Sequence, residues 1–185
     1  MKVIETGLAG VLIFENEIFR DPRGYLMEAW NQARYARAGL TASFVQDNLS
    51  FSSKGVLRGL HFQNPNMQGK MVFVLQGEIY DVAVDIRAGS PTFGRWVAVV
   101  LSEENRRQLF IPEGFAHGFC VTSETAMVFY KCTDLYTPAA SGGIIWNDPD
   151  LGIPWPVGTP ILSEKDKAYP SLKEMPPGCL PKYGG

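Results

Sequence analysis

One histidine of this chain stands between two cationic residues, in a segment that carries no other charge. The chain has two histidines in 185 residues, and His61 lies in VLRGLHFQNPNMQGK between Arg58 and Lys70. An imidazole can act as a general base because its unperturbed pKa is close to neutrality. Such a base needs a carboxylate to orient its ring. Together with the Lys70 ammonium, it could remove a proton next to a carbonyl group and stabilise the enolate oxygen.

Each candidate also has a structural interpretation, and spacing alone does not decide between the two. In the catalytic interpretation, Lys70 could return past the turn NPNMQG and lie alongside His61 at the start of the next strand. Otherwise His61 is a hydrogen-bonded structural residue and Lys70 a solvated strand end. Asp166 could be the N3 acid of a helix capped by Ser163, and Tyr130 an aromatic of the barrel. Three further residues would then be surface charges: Arg23, Glu28 and Arg58.

The sequence departs from the pattern of a metal-binding β-barrel. The segment PEGFAH at 112–117 resembles the second motif of the cupin superfamily, P-x-G-x-x-H. Metal-binding cupins carry an H-x-H pair, and Gln63 stands where the second histidine of that pair would follow His61. Because His117 is the only other imidazole, a three-ligand site for a transition metal would have to use carboxylates. We therefore expect a cupin-type barrel that binds no metal.

Short apolar or alternating runs recur along most of the chain, separated by Gly, Pro, Asn and Asp. Examples are GVLIFE, MVFVLQ, IYDVAVDI, RWVAVVLS and AMVFYKC. This rhythm predicts an all-β fold, an antiparallel jelly-roll barrel or sandwich of about eight or more strands. The segment QGE is expected to be a tight turn between two strands. NQARYARAGL is the one early helical segment, ending near Gly39.

We expect a single domain over 1–185, because the length and the 45% of hydrophobic residues suit one core. The jelly-roll core is predicted to span about 10–147. The segment 148–185 is rich in Pro and Gly and is expected to wrap irregularly over this core. Short peripheral helices are predicted to start there at Ser163 and Ser171, each followed by an acid in the S-x-x-acid pattern.

The strand IYDVAVDI has one apolar and one largely polar face. Period-two alternation places Tyr80, Val82 and Val84 on one side and Asp81 and Asp85 on the other. The acidic side meets either solvent or a polar cavity inside the barrel. The preceding run MVFVLQ is apolar on both faces, which favours a central strand and therefore the cavity.

Charge and cysteine content bear on partners and compartment. A formal net charge of -2 gives no electrostatic reason to expect nucleic acid or an anionic membrane as a partner. The first residues, MKVIETGLAGVLIFENEIF, are interrupted by acidic residues and contain neither a signal peptide nor a membrane span. Three cysteines without metal-ligand spacing indicate reduced thiols. These features predict a cytoplasmic protein.

Seven segments, in order, resemble the dTDP-4-dehydrorhamnose 3,5-epimerase family over nearly the whole chain. They are FRDPRGYLMEAWNQ, FVQDNLSFSSKGVLRGLHFQ, QGKMVFVLQGEIYDVAVDIRAGSPTFGRW, LFIPEGFAHGF, FYKCTDLY, WNDPDLGIPWP and LSEKD. Several of these segments are long, so the resemblance is specific. It implies a jelly-roll cupin fold without metal or cofactor, a homodimer, and a dTDP-linked 4-keto-6-deoxyhexose as substrate.

The resemblance implies catalytic roles for four residues. His61 of RGLHFQ matches the family's base, and Asp166 of LSEKD matches the aspartate that orients it. Lys70 of QGK resembles the cation that stabilises the enolate, and Tyr130 of FYKC resembles the acid on the opposite face of the sugar. A ketone at C4 makes the hydrogens at C3 and C5 acidic, so one base can remove either. Inversion then requires a proton from the other face, which a tyrosine across the ring would supply.

Further residues are implied in substrate binding. Asp81 of YDVAVD and His117 of FAHGF would line the same cavity as the base. Arg58 is suited to a phosphate group. By resemblance, Gln46 and Asn48 contact the nucleotide, and Phe19 and Tyr136 are candidate stacking surfaces. By the same resemblance, an exchanged N-terminal segment carries two residues to the substrate of the neighbouring subunit: Arg23 and Glu28.

Other functions stay open at this level. Relatives that make antibiotic sugars share this base and acid yet invert only C3, and small pocket differences decide between the two outcomes. A catalytically silent nucleotide-sugar-binding cupin would keep Arg58, Arg23 and the barrel but need no base. A metal-dependent cupin oxygenase is disfavoured by the missing ligands. The turn NPNMQG is shorter by about one residue than in some relatives, a difference that a loop tolerates.

Overall fold

The computed structural model describes residues 1–176 and 178–184, which form two antiparallel sheets and a separate hairpin. The strands are β1 (Lys2–Glu5), β2 (Leu12–Glu15), β3 (Ile18–Asp21), β4 (Gly24–Met27), β5 (Gln46–Ser53), β6 (Leu57–Gln63), β7 (Lys70–Gln76), β8 (Glu78–Asp85), β9 (Trp96–Ser102), β10 (Gln108–Ile111), β11 (Phe115–Val121), β12 (Thr125–Cys132) and β13 (Ser141–Gly143). The helices are α1 (Gln32–Arg37) and α2 (Glu164–Lys167), with 3-10 turns at Pro138–Ala140 and Leu172–Glu174.

The order of strands in the sheets shows that the chain crosses repeatedly between two layers. One sheet has six strands in the order β1-β2-β10-β7-β12-β5, and the other has five in the order β13-β6-β11-β8-β9. Strands within both sheets pair antiparallel. Strands β3 and β4 form the hairpin. This topology is that of a jelly roll, so the predicted all-β fold with a few short peripheral helices is confirmed.

The inner faces of the two sheets enclose the main apolar core. Val72 of β7, Leu109 of β10 and Val128 of β12 meet Ala83 of β8 there, because alternation along each strand turns them inward. Val82 belongs to a second cluster on the other face of β8. The two faces predicted for IYDVAVDI are thus confirmed. Its acidic residues are buried inside the protein, which rules out the solvent interpretation.

The C-terminal segment wraps over the outer face of the five-stranded sheet. Leu151, Trp155 and Leu172 pack in the cluster that contains Val82. The Trp96 indole N–H donates to the carbonyl oxygen of Leu151 at 2.8 Å. Both predicted helix starts are confirmed: Ser163 caps α2, and Ser171 forms a capping box with Glu174. Positions 177 and 185 of the expected wrap lie outside the described residues, and the single-domain organisation stays a prediction.

Element boundaries follow local sequence signals closely. Helix α1 ends before Gly39, because the φ of 95° at this glycine is incompatible with a right-handed helix. Gly77, with a φ of 77°, forms the tight turn between β7 and β8. The six-stranded sheet begins at Lys2, earlier than the predicted core start near residue 10. Within the described ranges, no helix has the length and apolar character that crossing a membrane would require.

Asp85 at the end of β8 organises the turn that follows it. Arg87 donates from Nε and Nη2 to the carboxylate at 2.9 and 2.8 Å, and the hydroxyls of Ser90 and Thr92 each donate at 2.6 Å. The Asp85 side chain is 0% exposed. Burial opposes its charge, yet these bonds outweigh burial and lower the pKa of Asp85 from 3.8 to about 2.

Replacing Asp85 with Asn is expected to lower the free energy of unfolding by about 2 kcal/mol at neutral pH. A lowered pKa stabilises the fold above the unfolded value, and this contribution is lost as pH falls through the folded pKa. The difference between wild type and D85N should therefore shrink between about pH 5 and pH 2, measured by urea unfolding. D150N removes only the exposed pair with Lys173 and should cost less than about 0.5 kcal/mol. A D85N loss that is independent of pH would show that ionisation of the carboxyl group is not the source of its stabilising effect.

Candidate active site

A cavity of about 420 Å³ lies between the two sheets. Arg58 and His61 of β6 line it from the five-stranded sheet, and Lys70 of β7 and Tyr130 of β12 line it from the six-stranded sheet. Asp166 of α2 reaches the same cavity. The four residues that were predicted to be catalytic therefore converge on one space, although they come from four different elements.

His61 is hydrogen-bonded to Asp166. The distance from His61 Nε2 to Asp166 Oδ1 is 2.6 Å, across 105 positions of sequence, and the carboxyl side chain is 5% exposed. Burial opposes the charge of Asp166, but hydrogen bonds from His61, Ser163 and the Gly59 N–H outweigh burial and lower its pKa. An ionised carboxylate only accepts, so Nε2 carries the proton and donates it. His61 Nδ1 is thereby left as the basic nitrogen.

The C-terminal wrap brings Asp166 to this position. The Leu57 N–H, at the start of β6, donates to the carbonyl oxygen of Ile161 at 3.1 Å, which fastens the wrap beside the strand that carries His61. Ser163 Oγ then accepts from the Asp166 N–H at 3.1 Å as the N-cap of α2. This cap fixes the helix that turns the carboxylate toward β6.

A β-bulge lets both Arg58 and His61 face the cavity. They are three positions apart, so regular alternation would place them on opposite faces. His61 pairs with His117 but Arg58 pairs with Phe119, so β6 has one extra residue between these pairs. Gly59 lies in this bulge with φ 122°, and a Cβ there would lie 2.5 Å from the Gly118 Cα. The two strands meet too closely for any side chain at position 59.

Lys70 faces His61 from the opposite sheet. As the sequence suggested, Lys70 stands at the start of the next strand, β7; because residues 64–69 cross from the five-stranded to the six-stranded sheet, it lies across the cavity from His61 and not on an adjacent strand. The two side chains nevertheless share the cavity, as expected. Burial lowers the pKa of Lys70, and the Asp81 carboxylate partly opposes this shift.

Asp81 and His117 form a buried pair. His117 Nε2 lies 3.0 and 2.9 Å from the two carboxylate oxygens of Asp81, and the His117 and Asp81 side chains are 8% and 0% exposed, respectively. Burial lowers the pKa of His117. The sequence predicted that both residues line the cavity, whereas the structure places them behind its lining, because their mutual hydrogen bond satisfies them within the core.

Tyr130 lies on the wall opposite His61. Its strand, β12, pairs with β5 and β7 in the six-stranded sheet. Burial raises the pKa of Tyr130, and the Arg58 charge opposes the shift. The phenol therefore keeps its proton at neutral pH and can donate it. A base and a proton donor thus face one cavity from two sheets.

The remaining cavity wall carries amides and a guanidinium. Arg58 Nε and Nη2 donate to Ser52 Oγ at 3.1 and 3.0 Å. Gln46 Nε2 donates to Asn48 Oδ1 at 3.0 Å, and Gln46 Oε1 accepts from the Tyr136 N–H at 2.8 Å. Alternation along β5 turns both amides inward. This wall offers hydrogen bonds and positive charge to a polar, anionic ligand.

Three predicted residues do not reach the cavity of their own chain. Phe19 on β3 is 52% exposed. Arg23 pairs with Asp21 in the hairpin turn, and Glu28 accepts from Asn31. None of the three lines the cavity. Within one chain, these three residues therefore lie away from the cavity that most of the other predicted site residues line.

Sequence reasoning missed several lining residues. Lys165 Nζ donates to Ser141 Oγ at 3.1 Å at the edge of the cavity. The position of Lys165 beside Asp166 in LSEKD could have identified it from the sequence, whereas no feature of the sequence marks Ser141. The other missed residues that line the cavity are Phe62, Gln63, Gln68 and Ser163. In the part of the chain that the structure describes, no group of three or more His, Cys, Asp or Glu could hold a metal ion.

Comparison with known proteins gives one consistent family. The family model described as dTDP-4-dehydrorhamnose 3,5-epimerase matches residues 5–174. An enzyme of that name from Methanothermobacter thermautotrophicus is 54% identical over 95% of this chain and 96% of its own length. The solved structure of a dTDP-6-deoxy-D-glucose-3,5-epimerase from Legionella pneumophila, in complex with dTDP-4-keto-L-rhamnose, superposes with a TM-score of 0.97 at 50% identity, covering 100% of this chain and 99% of that one.

A more distant relative has a narrower name. The dTDP-4-dehydrorhamnose 3-epimerase of Streptomyces niveus is 40% identical over 99% of this chain and 90% of its own length. Proteins similar to this chain over nearly its whole length therefore include one named as a 3-epimerase as well as those named as 3,5-epimerases.

The bulge at Gly59 predicts that a side chain at this position will destabilise the fold. G59A is expected to lower the free energy of unfolding by about 3 kcal/mol or more, because the new Cβ overlaps Gly118 and the conformation itself is strained. G39A is the matched control: its φ is 95° but nothing lies within 4 Å of the added Cβ, so it should cost only about 1 kcal/mol. Urea unfolding compares the two, and equal losses would show that the close approach is unimportant.

Proposed function

Because the chain belongs to the dTDP-4-dehydrorhamnose 3,5-epimerase family, we propose that it converts dTDP-4-dehydro-6-deoxy-D-glucose to dTDP-4-dehydro-L-rhamnose in dTDP-L-rhamnose biosynthesis. The observation that carries this proposal is the 2.6 Å hydrogen bond between His61 and Asp166 at a cavity whose opposite wall holds Lys70 and Tyr130. A silent binding protein would have no use for an oriented base facing a proton donor.

His61 Nδ1 removes the proton from C5 or C3 of the sugar. The electrons of the broken C–H bond move into the C4 carbonyl, and the Lys70 ammonium stabilises the enolate oxygen. Tyr130 then protonates the same carbon from the opposite face, which inverts it. His61 returns its proton to solvent, and the tyrosinate regains one, so the enzyme is restored. This series of steps uses side chains alone and requires no cofactor and no metal.

The polar wall serves the nucleotide diphosphate. Arg58, fixed by Ser52, is suited to the diphosphate, and Gln46 and Asn48 provide amide hydrogen bonds. Tyr136 offers a stacking surface at the cavity. Asp81 and His117 contribute from behind the lining, where Asp81 balances the charge of Lys70.

The working unit is a homodimer in which the hairpin β3–β4 is exchanged. Tyr25 and Leu26 of the hairpin are 52% and 67% exposed, and Leu49 and Phe51 on the outer face of the six-stranded sheet are 60% and 59% exposed. Apolar surface of this kind on neighbouring elements suits a subunit interface. Exchange would carry three residues to the partner's cavity: Phe19, Arg23 and Glu28.

The protein is proposed to work in the cytoplasm. Its three cysteines are free thiols, two of them buried, which suits a reducing compartment.

The decisive assay follows solvent deuterium into the sugar. Wild-type protein in D₂O should incorporate deuterium at both C3 and C5 of dTDP-4-dehydro-6-deoxy-D-glucose, detected by NMR. H61N should lose at least about a thousandfold in kcat while binding dTDP within about threefold of wild type. Incorporation at C3 alone would favour the narrower activity of the Streptomyces niveus relative. No incorporation at either carbon would refute the proposal.

Segment exchange predicts complementation between two damaged chains. R23A and H61N homodimers should each lose at least about tenfold in kcat/KM. A purified R23A/H61N heterodimer has one site with both changes and one with neither, so it should recover about half of the wild-type rate per dimer. The control heterodimer combines an H61N chain with an R20A chain. Arg20 lies on β3 of the same hairpin but has no proposed role, so R20A alone should stay fully active. A heterodimer no faster than its parents would exclude exchange of Arg23.

A further inference from the structure

An aromatic ring outside the cavity lining packs against the proposed base. The rings of Tyr169 and His61 meet edge to face, with centroids 5.9 Å apart and an interplanar angle of 69°. Tyr169 is absent from the residues that line the cavity. We propose that Tyr169 is a positioning residue that keeps the His61 imidazole aligned with Asp166, an inference that rests on the proposed function of His61 as the base.

Tyr169 and Asp166 reach His61 from the same short segment. Asp166 belongs to α2, which ends at Lys167. Pro170, directly after Tyr169, accepts a hydrogen bond from the Ile145 N–H at 2.9 Å, which anchors the segment beside β13. A single hydrogen bond fixes the direction of one ring nitrogen but leaves the imidazole plane free to tilt. A ring packed against its side removes that freedom.

Gly143 provides the space for the Tyr169 ring. Gly143 pairs with His61 in the register of β13 and β6. A Cβ at position 143 would lie 2.3, 2.4 and 2.6 Å from three atoms of the Tyr169 ring, and these are its three nearest neighbours. The ring therefore rests directly on the backbone next to the base. Any side chain at position 143 would have to displace it.

The aromatic ring, and not the hydroxyl, is the part that acts. Tyr169 Oη is buried and makes no hydrogen bond of regular geometry within residues 1–176 and 178–184, although its proximity to the Lys165 ammonium raises the pKa of Lys165. The Lys165 ammonium lies 5.8 Å from the ring centroid and donates to Ser141 Oγ. Because Lys165 keeps its hydrogen bond to Ser141, removing the Tyr169 hydroxyl should cost little, so Y169F should behave as wild type. Phenylalanine is thus the conservative variant that separates ring packing from hydroxyl chemistry.

The first test compares turnover with substrate binding. Y169A should lower kcat about tenfold to a hundredfold and change KM by less than about threefold, whereas Y169F should keep kcat within about twofold. F44A is the matched control, because Phe44 makes an edge-to-face contact with Trp30 at 4.8 Å, in a cluster whose residues do not line the cavity. Y169L keeps apolar volume and replaces Y169A if that variant does not fold. An unchanged kcat in these variants, or an equal loss in F44A, would overturn the inference.

The second test is a double-mutant cycle. G143A should lower kcat about as much as Y169A, because the new methyl displaces the ring. In G143A/Y169A the methyl meets vacated space, so the double variant should match Y169A within about twofold. Losses that multiply would mean that Gly143 and Tyr169 act independently, and the inference would fail.

A third measurement does not depend on turnover. The chain has two histidines, so the ring N–H signal of His61 can be assigned by NMR in the intact protein. Its exchange with water should be at least about tenfold faster in Y169A than in wild type or Y169F. If wild type catalyses no isotope exchange but Y169A still shows this acceleration, the proposed function fails and the positioning role stands. If wild type is active and Y169A changes neither signal nor kcat, only the positioning role fails.

Discussion

The hydrogen bond between His61 and Asp166 is the interaction on which the site depends. It joins a strand of the five-stranded sheet to the wrap at the end of the chain, so the proposed base has its partner only when the wrap is in place. A buried carboxylate stays ionised only if hydrogen bonds replace its lost water, and Asp166 receives them from three residues. Helix α2 spans Glu164–Lys167, too short to be stable alone. The hydrogen bonds of Leu57 with Ile161 and of His61 with Asp166 must therefore hold it against β6.

Strand β6 departs from regular β geometry where it forms the cavity wall. An undistorted β6 could turn either Arg58 or His61 inward, not both. The bulge at Gly59 resolves this conflict, and pairing with β11 on one side and β13 on the other holds the distorted strand. The same neighbours supply the glycines that permit close approach, Gly118 and Gly143. The geometry of the cavity wall and the placement of these glycines are thus one requirement.

Local signals predicted the elements well, and long-range pairing limited the rest. Alternation, turn residues and caps anticipated β7, β8, the end of α1 at Gly39 and the caps of both C-terminal turns. The sheet that Lys70 joins depends on whether residues 64–69 cross between layers, which no local pattern encodes. The absence of His117 from the cavity lining likewise follows from its contact with Asp81, 36 positions away in the sequence. The family resemblance named four candidate catalytic residues, which share one cavity, but it did not predict which residues support them.

Charge placement explains how a protein with a net negative charge can suit an anionic substrate. Arg58, Lys70 and Lys165 are gathered at one cavity, while the opposing acids are committed elsewhere: Asp81 to His117, and Asp85 to Arg87. Burial weakens the charged state of Lys70, and Asp81 behind the lining offsets this. Among the described residues, Asp166 is the one carboxylate that lines the cavity, and it is hydrogen-bonded to His61, whereas Asp81 lies outside the lining and acts on the Lys70 charge from there.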